Sequence, residues 1–165
     1  MGVRPSPVAA GVPTAGATPA APITFEGISG LFVTWLKDGR PRGRSGTLSP
    51  DAPIEDLVAK HAVEALLHDP RVPKPAPREL PRYEPRISVL SSFAGISSSS
   101  AIVVGTDGVV AEKGKRWGIV LPEDAEGLGW DAARLLGQAC LRAGLPEESW
   151  RTASVRLRRF EAETF

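Results

Sequence analysis

The chain has 165 residues, with 20 basic and 19 acidic side chains for a formal net charge of +1, 42% hydrophobic residues and 24% charged ones. That is the composition of one ordinary domain able to bury a core, and a charge so close to zero argues against a chain-wide electrostatic grip on nucleic acid. A lone cysteine, Cys140, excludes an internal disulfide and cysteine-rich zinc or iron–sulfur sites; no apolar run approaches the ~18 residues of a membrane span, and a reducing cytoplasm is the expected compartment.

Residues 1–24 hold five prolines and six alanines with a single charge, Arg4. Proline blocks helix and central strand alike, and small side chains cannot repay the entropy of ordering, so this stretch reads as a disordered leader ahead of a domain over 25–165. From Leu31 to Leu36 the chain is strand-like and meets Asp38-Gly39. An Asp-Gly pair between apolar runs predicts a hairpin with positive φ at both turn residues. The returning strand, Pro41 to Leu48, is polar and carries Gly43 and Gly46, glycines of the kind found where another group approaches the backbone closely.

Ser49-Pro50-Asp51 offers caps for a helix whose stripe runs through Ile54, Leu57, Val58, His61, Ala62, Ala65 and Leu66. His61 on that stripe reads as a hydrogen-bonded core residue. Six prolines between 70 and 85 predict an extended surface connector. Strands are expected at Arg86 to Leu90, Ile102 to Val104, Val109 to Ala111 and Trp117 to Leu121, the last three as a small meander. Pro122-Glu123-Asp124 opens a short acidic helical turn; Asp131 caps a second helix that stops at Gly144. In the last strand, Ser154 to Glu163, the inward phase slips at Arg158-Arg159, which predicts a β-bulge. Strands and helices without strict βαβ alternation give an α+β fold built on a mainly antiparallel sheet with a few packed helices.

Little in the chain speaks for familiar site chemistry. His61 and His68 stand two helical turns apart, too far to share an ion, and neither a nucleophile elbow nor a phosphate loop occurs. No cofactor is implied. Cys140 falls on the apolar stripe of the second helix and reads as a small buried hydrophobe. The most unusual element is the polar hairpin strand, where Arg40, Arg42 and Arg44 alternate and would project from one face. Three guanidiniums there could hold a carboxylate or phosphate, or could simply protect a solvated edge strand.

Read together, Leu31-Phe32-Val33-Thr34, Lys37-Asp38-Gly39, Arg42-Gly43-x-x-Gly46-Thr47-Leu48, Asp69-Pro70-Arg71, Gly129-Trp130, Cys140-Leu141-Arg142-Ala143-Gly144-Leu145-Pro146 and the closing Phe160-Glu161-Ala162-Glu163-Thr164-Phe165 resemble the AMMECR family in order and spacing. The resemblance implies a two-part α+β fold and cytoplasmic residence. It also implies a system shared with a Memo-type protein and a radical SAM enzyme, a partner context rather than a reaction. Two departures stand out. The family's hallmark Leu-Arg-Gly-Cys-Ile-Gly is Pro41-Arg42-Gly43-Arg44-Ser45-Gly46 here, so the cysteine is replaced by an arginine that is neither nucleophile nor ligand. Relatives also begin with an amphipathic helix, for which residues 1–24 are unsuited.

These readings favour an accessory module that binds a partner protein or a small anionic ligand through Arg40, Arg42, Gly43, Arg44, Gly46 and Thr47, with Arg71 as a neighbour. An enzyme without a cysteine nucleophile would have Asp38, Asp69 or Thr47 as its candidates. Nucleic-acid binding is the weaker alternative, because no aromatics interleave with the arginines.

Overall fold

Asp38 (φ 52°) and Gly39 (φ 75°) form the expected tight turn between β1 (Gly30–Lys37) and β2 (Arg40–Thr47), which pair antiparallel. A computed structural model describes residues 28–165; the expected leader, 1–24, and with it the expected lack of a first helix, lie outside the described residues. Helix α1 (Ile54–Leu67) follows, then β3 (Tyr83–Leu90), β4 (Ala94–Ile96), β5 (Asp107–Lys113), β6 (Arg116–Val120), α2 (Ala132–Arg142) and β7 (Arg156–Thr164), with four short 3-10 turns between them. The strands make one antiparallel sheet in the order β2-β1-β3-β7-β5-β6, with β4 added to β7. The fold is α+β.

The sheet curls. Its concave side holds Phe32, Leu90, Phe160, Val110 and Ile119, one from each strand along the path β1-β3-β7-β5-β6, with Leu121 just past β6. Helix α1 covers the convex side over Leu31 and Val33, and α2 covers it over Val109, Ala111 and Leu157. These two helix-backed halves are the two parts of the domain, joined through β7, whose first residues pair with β5 and whose last pair with β3. Each large apolar side chain so buried contributes about 1.5–3 kcal/mol against the ordering entropy.

Each helix sits against a strand glycine. A Cβ on Gly43 would lie 1.9 Å from the Ala65 carbonyl oxygen of α1, and one on Gly118 would lie 2.2 Å from the Ala139 carbonyl oxygen of α2. The close approach expected at the polar strand is therefore made by the protein's own helix. Gly46 is closed off by β1, where Phe32 ring carbons would lie 2.4 Å from its Cβ. Trp35 fixes the first helix further by donating its Nε1–H to the Ala62 carbonyl at 2.8 Å.

Several expectations need correction. Helix α1 starts after Pro53 with no side-chain cap, so Ser49 and Asp51 do not cap it. Strand β3 begins at Tyr83, inside the proline-rich stretch; Pro85 is tolerated because the C-terminal segment joins that flank only from Ile87 onward. Ile102 to Val104 is not a strand. The buried Asp107 carboxylate accepts from the Val103 N–H at 2.8 Å, and its own N–H donates back to the Val103 carbonyl, which makes this stretch a turn. No bulge interrupts β7. Its pairing with β5 runs unbroken from Arg156 to Glu161, and Leu157 and Phe160 are both buried because the strand has a core on each face. Arg158 and Arg159 thus point to opposite sides, Arg158 to Glu112 and Phe93, Arg159 to Asp107. By contrast, Asp131 caps α2 through the Arg134 N–H at 2.7 Å and Gly144 (φ 70°) ends it, as expected.

Candidate functional site

The curl brings the free edges of β2 and β6 to face each other across a 340 Å³ cavity lined by Gly46 on one side and Gly118 on the other. Arg44 closes this seam. It donates from Nη1 and Nη2 to Asp124 Oδ2 and Oδ1 at 2.8 and 2.6 Å, and from Nε to the buried Thr34 hydroxyl at 2.9 Å. Arg142, in the last turn of α2, donates to the same Asp124 Oδ2 at 2.5 Å and to the Ile119 carbonyl of β6 at 2.8 Å. Asp124 also accepts from the Leu121 N–H at 3.1 Å. Burial alone would push the Asp124 carboxyl up, but the two guanidiniums outweigh it and hold the carboxyl at about 2.

Arg71 makes a second lock. Its guanidinium clasps Asp69, whose carboxylate also accepts the backbone N–H of Arg44 at 2.9 Å, while Arg71 Nη2 reaches the Arg44 carbonyl at 3.3 Å. Side chains thus satisfy the outward backbone groups of the edge strand at Arg44, which blunts it there against pairing with another chain. The Arg71 guanidinium, with help from the Arg44 N–H, holds the Asp69 carboxyl at about 2.

Beside the seam lies a 510 Å³ cleft at the mouth of the curled sheet. Arg42, Gly43 and Arg44 form one wall, Glu123, Asp124 and Glu126 the other, with Leu128, Trp130 and Arg142 between. Arg42 is half-buried; its Nε is enclosed and has no hydrogen-bond partner among the described residues. Among the described residues, Arg42 is in no salt bridge, whereas Arg44, Arg71 and Arg142 all are.

The structure brings Arg42, Gly43, Arg44 and Arg71 together and leaves the other residues expected at the site outside the cleft. Pairing slips by one residue between Trp35 and Leu36, so that Arg42 is extra and Arg40, opposite Lys37, falls on the other face of the hairpin from Arg44. The three arginines therefore do not share one face. Gly46 lines the seam, and Thr47 turns its hydroxyl to the Ser49 carbonyl. The default catalytic candidates do not converge either: Asp38 is paired with Arg82 at the hairpin tip and Asp69 is fully engaged by Arg71 and Arg44. Lys113 and Arg156 line a separate cavity.

Sequence reading passed over Thr34, Glu126, Leu128 and Arg142 as site residues, and treated Glu123 and Asp124 only as helix-end acids. It also missed a cluster on the convex side of β2. Ser45 Oγ lies 2.9 Å from His61 Nδ1 and donates to Glu64 Oε2 at 2.8 Å, with the same ring nitrogen 3.0 Å from that carboxylate. A hydrolytic triad needs the carboxylate and the hydroxyl on opposite ring nitrogens, so this cluster has no relay. It anchors the helix to the strand, as the reading of His61 as a hydrogen-bonded core residue expects.

The AMMECR1 family model matches residues 9–165. The chain belongs to the AMMECR1 family. A protein of Methanothermobacter thermautotrophicus is 35% identical over 150 residues, covering 87% of this chain and 78% of the relative. One of Thermofilum pendens is 35% identical over 130 residues, 75% of this chain and 61% of the relative. Among solved structures, uncharacterized protein PH0010 from Pyrococcus horikoshii superposes with a TM-score of 0.77 at 30% identity, covering 84% of this chain and 73% of that one. The AMMECR1 match starts at residue 9, inside the stretch read as a leader. Arg44, at the position where the resemblance expects the hallmark cysteine, engages Thr34 and Asp124 through Nε, Nη1 and Nη2.

Proposed function

We propose that this AMMECR1-family domain is a binding module that holds a small ligand by its carboxylate in the cleft beside the seam, with Arg42 as the anchor. One observation carries the reading: among the described residues Arg42 is the cleft arginine left without a carboxylate, and its enclosed Nε has no hydrogen-bond partner there. A carboxylate in the cleft would give the Arg42 guanidinium a charge-assisted partner, a contact worth about 1.5–3 kcal/mol. The other cationic groups serve structure. Arg44 and Arg142 hold the seam and Arg71 holds Asp69, which supports a role in binding over one in turnover. Near-zero net charge and the matched arginines also speak against a nucleic-acid surface. Family membership supports the wider proposal that the module acts with a Memo-type protein and a radical SAM protein.

The test is a thermal-shift screen of the full chain and of Arg42→Ala against aromatic and aliphatic carboxylates and inorganic phosphate. A carboxylate that stabilises the wild type and not the variant supports the reading. Equal stabilisation of both removes Arg42 from the site.

A further inference from the structure

The cleft is electrically two-sided. On the β2 wall stands Arg42; on the facing wall stand Glu123, in the 3-10 turn Pro122–Ala125, and Glu126, which caps that turn. Among the described residues neither glutamate is in a salt bridge, and neither compensates Arg42. Between these walls Asp124 bridges both Arg44 and Arg142, which leaves one guanidinium charge in excess, and Arg71 is paired with Asp69. Glu123 spends Oε1 on the Ser88 hydroxyl at 2.5 Å and leaves Oε2 for another donor. Leu128, 56% exposed, and the half-buried Trp130 supply an apolar surface in the same cleft.

We infer that the ligand is a zwitterion, a small molecule with a carboxylate and an ammonium group on one apolar skeleton, the chemistry of an apolar α-amino acid. The inference rests on Arg42 as the carboxylate anchor and adds the second pole. A plain anion satisfies Arg42 but brings negative charge toward Glu123 and Glu126; a plain cation satisfies the glutamates but meets Arg42. Only a ligand with both signs meets both walls, and its apolar part then lies on Leu128 and Trp130, where burial and stacking add to the affinity.

Calorimetric titration of the full chain with phenylalanine, 3-phenylpropanoate and 2-phenylethylamine separates the poles, because the second lacks only the ammonium group and the third only the carboxylate. Phenylalanine is expected to bind tightest, with loss of either charged group weakening binding by roughly tenfold or more, the worth of one charge-assisted hydrogen bond. The double variant Glu123→Gln/Glu126→Gln is expected to weaken phenylalanine to the level of 3-phenylpropanoate while leaving 3-phenylpropanoate as tight as before. Arg42→Gln is expected to lose both acids, and matching circular dichroism spectra show that the variants fold. If 3-phenylpropanoate binds the wild type as tightly as phenylalanine, or the double variant binds phenylalanine normally, the zwitterion is wrong and the Arg42 reading stands so long as Arg42→Gln loses binding. If no probe binds, or binding ignores Arg42→Gln, both readings fall.

Discussion

Arg44 and Asp124, 80 residues apart in the chain, join the two open edges of one curled sheet by paired hydrogen bonds of 2.8 and 2.6 Å. The arginine stands where the AMMECR hallmark has its cysteine, so this chain has a structural clasp at that position. Both partners are largely buried, Arg44 with 14% of its side chain exposed and Asp124 with 8%.

Removing one member of a buried pair leaves a charge uncompensated, at a cost of about 3–5 kcal/mol. Asp124→Ala is expected near that range, because Arg44 and Arg142 then face each other unmatched. Arg44→Cys, which restores the family residue, is expected to cost less, about 2 kcal/mol, because Arg142 still holds Asp124. Urea unfolding midpoints measure both; an Arg44→Cys protein as stable as wild type would show that the clasp contributes nothing.

Acid should weaken the same contacts. Asp69 and Asp124 have folded values of about 2 against an ordinary 3.8. Both therefore bind protons more readily in the unfolded chain, and the stability they give is complete above about pH 4 and lost as pH falls toward 2. Each contributes about 2 kcal/mol over that window. Denaturation followed from pH 5 to pH 2 should show this loss in wild type and a shallower one in Asp124→Asn.

The two glycines under the helices differ from the turn glycine. Gly43→Ala would press a methyl into the Ala65 carbonyl and is expected to cost more than 3 kcal/mol, as the helix must shift. Gly39→Ala has open space but a φ of 75°, and should cost only about 1–2 kcal/mol. Melting temperatures of the two variants test the order.

These contrasts mark what the sequence displays and what it conceals. Asp38-Gly39, Asp131 and Gly144 act within a few residues of themselves, so turn, cap and stop were readable. Gly43 announced a close approach but not the helix that makes it. Elsewhere local pattern failed: apolar β-branched residues mask the Asp107 side chain that turns Ile102 to Val104 into a loop only four residues away, and a second core face makes Leu157 and Phe160 look out of phase. At the site, Arg42, Arg44 and Arg71 were legible as a cationic group. The pairing slip that removes Arg40 lies within the hairpin and leaves no mark in the alternation of the arginines, while the roles of Asp124 and Arg142 from the other half depend on how the sheet curls.

Cys140 is fully buried on α2, and burial pushes its thiol up. Labelling by a thiol reagent should therefore be slow in the native protein and rise in step with global unfolding as urea is added. Rapid native labelling would contradict this placement.

The most direct test of the central claim watches the Arg42 guanidinium itself. In a spectrum of the arginine Nε–Hε groups, with the Arg42 signal assigned by its absence from Arg42→Lys, titration with 3-phenylpropanoate should shift that signal saturably and leave those of Arg44 and Arg71 in place. A ligand that binds while the Arg42 signal stays still would contradict the account.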